Sequence, residues 1–201
     1  SSIDIDATGN IFITGYISSA NFPLLNSGTY YDNTLSSGQN TFIAKFDNNG
    51  VRLWVTYYGG TNSDNGNCIT VDVSDNVYVT GTTSSTDFPL QTLAGAYNQP
   101  ANAGDGDVFI LKFSNTGVRI WATYYGGSGF MGSGSDFGNS IATDASGNVF
   151  VVGTTSNSNA TFPLQTLAGA YNQTTNLGSG AFILKFSNVG VRLWATYYGG
   201  D

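Results

Sequence analysis

The chain has 201 residues, 40% hydrophobic and 14% aromatic, enough to bury a core, yet only 9% are charged, against roughly 25% in ordinary soluble domains. All the acidic residues are Asp, and His and Glu are absent, which excludes Ser-His-Asp chemistry, zinc sites built on His and Cys, and Glu-based glycoside hydrolysis. A net charge of −7 with no basic stripe argues against nucleic acid or an anionic membrane as partner, and no apolar run is long enough for a membrane-spanning helix.

The first predicted elements lie in IDIDATGNIFITGY (Ile3 to Tyr16): two strands joined at Asp6, whose carboxylate can accept backbone N–H groups in an Asx-turn, with Gly9 free to take positive φ. The next stretch, FPLLNSGTYYDN (Phe22 to Asn33), reads as an ordered loop tucked against a sheet edge rather than a strand. Two more strands follow in TFIAKFDNNGVRLWVTYYGG (Thr41 to Gly60), around the tight turn DNNG.

This whole set recurs. The first hairpin reappears as ITVDVSDNVYVTGT (Ile69 to Thr82) and IATDASGNVFVVGT (Ile141 to Thr154). The loop reappears as FPLQTLAGAYNQ at Phe88 to Gln99 and Phe162 to Gln173, and the second hairpin at Val108 to Gly127 and Ala181 to Gly200. Trp54, Trp121 and Trp194 mark the period, 67 and then 73 residues; the longer repeat carries its extra residues in the Gly-rich stretch SGFMGSGSDFGN. No segment shows the apolar spacing of an amphipathic helix, so almost no helix is expected.

In FILKF, strict alternation sets Phe109, Leu111 and Phe113 on one face, and Ile110 and Lys112 on the other. A turn pairing Phe113 with Val118 would place Lys112 opposite Arg119 and Ile110 opposite Trp121, so that a Trp and two cation stems meet a neighbouring sheet. The six cations are one Lys and one Arg per copy. Adjacent tyrosines in YYGG must face opposite ways, one into the core and one toward the next sheet. The expected packing residues between sheets are therefore Trp54, Trp121, Trp194, Tyr57, Tyr124 and Tyr197. The single Cys68 sits where the next copy has Ser140, which excludes a disulfide framework and suggests a small buried filler.

Repeated four-stranded antiparallel units with two apolar faces describe propeller blades stacked face to face. The expected fold is all-β, with blades at 1–60, 61–127 and 128–201. The pattern Ile-x-x-Asp-x-x-Gly-Asn-(Val/Ile)-(Phe/Tyr)-(Ile/Val)-(Thr/Val)-Gly, then Phe-Pro, then Phe-(Ile/Val)-x-Lys-Phe, then Trp-x-Thr-Tyr-Tyr-Gly-Gly resembles the bacterial SBBP-type β-propeller repeat along essentially the whole chain. That resemblance implies large secreted or surface proteins without a shared enzymatic activity. Asp75 replaces the turn Gly in the second copy. Gly180 stands in the third where the family tends to have Asp, which Asp107 keeps and Asn40 approximates.

Three blades are fewer than the four to eight that typically close a propeller. Both ends of the sequence fall at the same point of the repeat, so the expected partners are further blades of a longer chain or other copies, in a ring or a filament. The Asp pairs Asp4/Asp6 and Asp105/Asp107 are not copied, which leaves a non-enzymatic, extracellular structural or adhesive element as the expected function. The alternative is a glycan- or Ca²⁺-binding module. Calcium is the one candidate cofactor, with Asp64 and Asp136 as its candidate ligands, from the loops TNSDNGN and SGSDFGN. Asn159 and Asn172 fit the N-glycosylation pattern.

Overall fold

Each copy folds into four strands because its β-branched and aromatic residues alternate between turns whose geometry the sequence supplies. In the computed structural model, which describes residues 1–27, 30–128, 134–156, 161–175 and 178–199, the strands are β1 (Ser2–Ile5), β2 (Ile11–Ile17), β3 (Asn40–Phe46) and β4 (Arg52–Tyr58) in the first copy. The second copy gives β5 (Asp64–Val71), β6 (Val77–Thr83), β7 (Asp107–Phe113) and β8 (Arg119–Tyr125); the third gives β9 (Asp136–Thr143), β10 (Val149–Thr155), β11 (Gly180–Phe186) and β12 (Arg192–Tyr198). The described residues contain no helix. Each copy is one antiparallel sheet in sequential order, and the three sheets do not close into a ring.

The first turn of each blade is built as the sequence predicts. The Asp6 Oδ1 accepts the N–H groups of Thr8 and Asn10 at 2.9 Å each, and Asp72 and Asp144 do the same in their copies. Gly9 and Gly147 have φ of 84° and 74°, and Asp75 takes the same left-handed conformation at 60°.

The second hairpin departs from the expected register. Phe113 pairs with Arg119, Lys112 with Trp121 and Ile110 with Thr123, because a bulge between Lys112 and Phe113 takes up one extra residue of β8. The same bulge recurs in the other two blades. It leaves Lys112, Ile110 and Trp121 on one face, as expected, by a different pairing, but moves Arg119 to the opposite face, where it meets Tyr30 and Tyr58 of blade 1 instead of standing beside Lys112.

The blades stack with β1, β5 and β9 at their converging inner edge, where β5 packs against β1 on one side and β9 on the other. Cys68 lies there half-exposed, its Sγ 3.7 Å from Ser2 Oγ and 3.8 Å from Ser140 Oγ, and so is not the buried filler expected. Both faces of blade 2 are core. Phe109, Leu111 and Phe113 join a cluster with Phe12, Ile43, Trp54 and Tyr58 of blade 1, while Val108, Ile110, Trp121 and Tyr125 join one with Phe182, Leu184 and Phe186 of blade 3.

Candidate functional site

The residues copied three times converge on the junctions between blades, and each junction is assembled from the same parts. Tyr58, on the last strand of blade 1, crosses to blade 2: its ring lies 5.8 Å from Phe113 at 85°, and its hydroxyl donates to the Pro89 carbonyl. Tyr125 repeats this against blade 3, with its ring 5.9 Å from Phe186 at 88° and its hydroxyl on Pro163 O. Arg119 and Arg192 donate to the same two carbonyls at 3.1 and 2.9 Å. Full burial pushes the Tyr58 and Tyr125 hydroxyls above the ordinary tyrosine range, so both remain neutral donors.

Lysines tie the far end of each junction. Lys45 Nζ reaches the Asn115 carbonyl at 3.3 Å, and Lys112 Nζ reaches Asn188 O at 2.7 Å. Each ammonium also sits over a ring of its own sheet, Phe12 at 5.0 Å and Tyr78 at 5.1 Å. Burial lowers both lysine pKa values, with nearby carboxylates acting in the opposite sense.

The Phe-Pro loops are the third component. Each is fastened to the outer strand of its own blade by a single antiparallel bridge, Leu25 to Val55, Gln91 to Ala122 and Gln165 to Ala195. The first two then send an aromatic residue across a junction: Tyr30 N–H donates to Gly117 O at 3.2 Å and Tyr97 N–H to Gly190 O at 2.8 Å, while Arg119 and Arg192 stack on the two rings. Tyr30 thus occupies the place of Tyr97, whereas ungapped alignment of the two loops would match Tyr31.

Of the expected packing residues, Trp54 and Trp121 lie in the junctions, 4% and 1% exposed, and Trp194 faces outward from blade 3, half-buried. Tyr57, Tyr124 and Tyr197 are buried on the opposite face from Tyr58, Tyr125 and Tyr198, packing on the Phe-Pro loop of their own blade: Tyr124 lies 5.8 Å from Phe88 and Tyr197 5.5 Å from Phe162. Residues that sequence reasoning left out, Tyr58 and Tyr125, make the contacts that cross between blades. The alternation rule pointed to one tyrosine of each pair without saying which.

The metal candidates are placed apart. Asp64 and Asp136 are fully buried in different junctions, where the Oδ2 of each accepts a turn N–H, from Gly60 at 2.8 Å and Gly127 at 2.9 Å. Each fastens the Gly-Gly turn leaving the preceding blade. Among the described residues, no three His, Cys, Asp or Glu side chains form a ligand set. Burial pushes Asp64 up to about 6, against donors from Thr83, Gly60 and Ser85. Asn159 lies outside the described residues. The Asn172 amide closes its own loop: it accepts from Leu167 N and donates to the carbonyls of Leu167 and Ala170.

Asp107, which sequence reasoning dismissed as half of an uncopied pair with Asp105, has a different neighbour. It is fully buried, and a Cβ on Gly126 would lie 2.7 Å from its Oδ1 and 2.6 Å from Asp136 Oδ2, so the two carboxylates flank one glycine. Its Oδ2 accepts from Gln99 Nε2 at 2.6 Å and Ala103 N at 3.0 Å, while Oδ1 has no partner. Burial, with Asp136 adding to it, pushes Asp107 up to about 7. A folded-state pKa above the ordinary 3.8 means that the folded chain holds the proton more tightly. The associated stability is present below pH ~4, is lost as pH rises toward ~7, and is flat above that. Asp107→Asn keeps the acceptor for Gln99 and Ala103 and removes the charge, as Asn40 does at the equivalent place. Urea unfolding from pH 4 to 8 is expected to show a variant more stable than the parent at pH 8 by up to about 4 kcal/mol; an equal slope in both proteins would refute this reading of the pair.

Sheets of this order, joined face to face by repeated bonds, define a β-propeller-type repeat protein. The family model described as a beta-propeller repeat, SBBP, matches residues 53–89 and 120–159, so these two stretches carry the repeat that the sequence resembles. Each matched window runs from the last strand of one blade through the first hairpin of the next, so it spans a junction. The chain is also 28% identical over 173 residues to an uncharacterized WD repeat-containing protein of Acanthamoeba polyphaga mimivirus, an alignment covering 83% of this chain and 12% of that protein.

Proposed function

We propose that this chain is a non-enzymatic structural or adhesive β-propeller-repeat element that works outside the cell. The observation that carries the reading is where the copied residues go. In the first two copies tryptophan, the tyrosine pair, lysine and arginine, the groups most able to bind or react, are engaged in joining blades or holding their loops. The repeat family and the WD-repeat relative support a scaffold in the same sense. The low charge and the Asn-, Thr- and Gly-rich surface support exposure to the medium. Proteinase treatment of intact cells that make the protein, followed with an antiserum to this chain, tests the location. Signal in the medium, or removed from intact cells, is expected. Signal protected until the cells are lysed would overturn it.

A second reading has one observation in its favour. At the rim of the first junction a cleft of about 400 Å³ is lined by Asp32, Thr34, Ser36, Thr61 and Asp87. The Thr61 N–H, donating at 2.9 Å, holds Asp87 below the usual carboxylate range, so an ionised acid stands among hydroxyls. A glycan or Ca²⁺ would suit such oxygen donors. Glycan-array binding, or a melting temperature lowered by EDTA and restored by Ca²⁺, would support this reading over the scaffold alone.

A further inference from the structure

Among the described residues, one buried pair of carboxyl groups belongs to the middle blade alone. Asp107, at the start of β7, and Asp136, at the start of β9, are both fully buried and both close on Gly126, where the chain leaves blade 2. Asp136 Oδ2 holds the Gly127 N–H, and Asp107 Oδ2 holds Gln99 and Ala103. Asp107 Oδ1 is left beside its neighbour's carboxyl without a hydrogen bond among the described residues. In the first blade the corresponding residue is Asn40, an amide whose Oδ1 accepts from Ser36 N at 2.9 Å and whose Nδ2 donates to Thr34 O at 3.3 Å. Asp64 also keeps one unbonded oxygen there, but an amide stands at the place of the second carboxyl. In the third blade that place is taken by Gly180.

Two buried carboxylates repel, and such an arrangement is stable only with a proton or a cation between them. The surroundings favour a cation. Gly126 places no side chain at the point on which both carboxyls converge, where a Cβ would lie 2.7 Å from Asp107 Oδ1 and 2.6 Å from Asp136 Oδ2. Neutral oxygens stand close by. The carbonyls of Gly127 and Gly134 lie 3.2 and 2.5 Å from where a Cβ of Gly104 would be, and the Gly104 N–H also faces Asp107. A shared proton needs no such oxygens, whereas a hard cation takes several. The chain has no His, and its one Cys, Cys68, lies at the inner edge, so the donors are oxygens and suit Ca²⁺ better than Zn²⁺ or Cu²⁺. Mg²⁺ keeps several of its waters, which a fully buried pair does not admit. We propose that Asp107 and Asp136 bind one Ca²⁺ at the junction of blades 2 and 3, with Asp107 Oδ1 turned to the ion, so that the metal fastens the two blades. This site is separate from the rim cleft of Asp32 and Asp87, and it does not depend on where the chain works.

The test follows thermal unfolding of the 201-residue chain at mildly alkaline pH, first in EDTA and then with Ca²⁺, Mg²⁺ or Na⁺ at matched ionic strength, beside the variants Asp107→Asn and Asp87→Asn. Saturating Ca²⁺ is expected to raise the melting temperature of the parent by about 5 °C or more, with one ion bound per chain in titration calorimetry. Asp107→Asn keeps its fold, since Asn40 already serves at the equivalent place, and in EDTA it is the more stable of the two proteins. It is expected to bind Ca²⁺ at least about tenfold more weakly and to gain no stability from it. Asp87→Asn is expected to show the full effect of Ca²⁺. A parent indifferent to Ca²⁺ would overturn the inference and assign the pair to a shared proton. Mg²⁺ or Na⁺ acting as well as Ca²⁺ would overturn it too. So would stabilisation by Ca²⁺ that survives in Asp107→Asn; if Asp87→Asn then removes it, the ion belongs to the rim cleft instead. None of these outcomes bears on whether the chain is found outside the cell, so the function proposed above stands or falls by its own experiment.

Discussion

Trp121→Ala is expected to cost about 3–5 kcal/mol of unfolding free energy, whereas Trp194→Ala, in the same motif, is expected to cost less than half as much in the dilute single chain. The two indoles make the same hydrogen bond, Nε1 to Tyr97 O at 2.9 Å and to Tyr171 O at 3.0 Å, so the difference is one of packing alone. Trp121 is closed in by blade 3, with Phe186 at 5.5 Å and the Gly190 turn against its six-membered ring. Removing it leaves a cavity between two rigid sheets that cannot collapse. Trp194 is only half-buried on the outward face of blade 3. Urea unfolding of both variants at micromolar concentration checks this, and equal losses would show that blade 3 does not hold Trp121 as described.

Gly81→Ala is expected to be nearly as damaging, at about 3 kcal/mol. A Cβ at Gly81 would lie 1.9 Å from the Asn65 carbonyl oxygen and 2.7 Å from the Phe109 ring. The ring could turn; the carbonyl belongs to Asn65, paired with Thr82 just before the strand bulge between Gly66 and Cys68, and cannot move without breaking the β5–β6 ladder. Gly153 repeats the contact with Phe137 O at 1.9 Å. By contrast, a Cβ at Gly178 meets nothing within 4 Å, so Gly178→Ala is expected to stay within ~0.5 kcal/mol of the parent. The comparison is read from unfolding midpoints, and a tolerated Gly81→Ala would mean that the bulge relaxes.

Much of this was legible in the sequence because the repeat displays its own constraints. Strand positions, both tight turns and the Asx role of Asp6 follow from residue type and spacing. Alternation also placed Lys112 and Trp121 on a shared face. What stayed hidden depends on backbone irregularity or on distance along the chain. The bulge beside Lys112 follows no composition rule; it shifts the pairing, keeps Lys112 with Trp121 and turns Arg119 to the other face. The Asp107–Asp136 pair joins residues from different copies, so no local motif could signal it. The choice of Tyr58 over Tyr57 for the crossing contact depends on which face of blade 1 meets blade 2, and sequence periodicity is the same for either.

The identity of the two internal junctions bears on how a gene for such a protein can change. Removing the stretch 61–127 would set Tyr58 against Pro163 and Lys45 against Asn188, the groups that Tyr125 and Lys112 meet now. Duplicating it would create one more junction of the same kind. Unequal recombination between copies therefore produces proteins whose every interface has already been selected, and blade number can drift by whole units while the packing chemistry stays fixed.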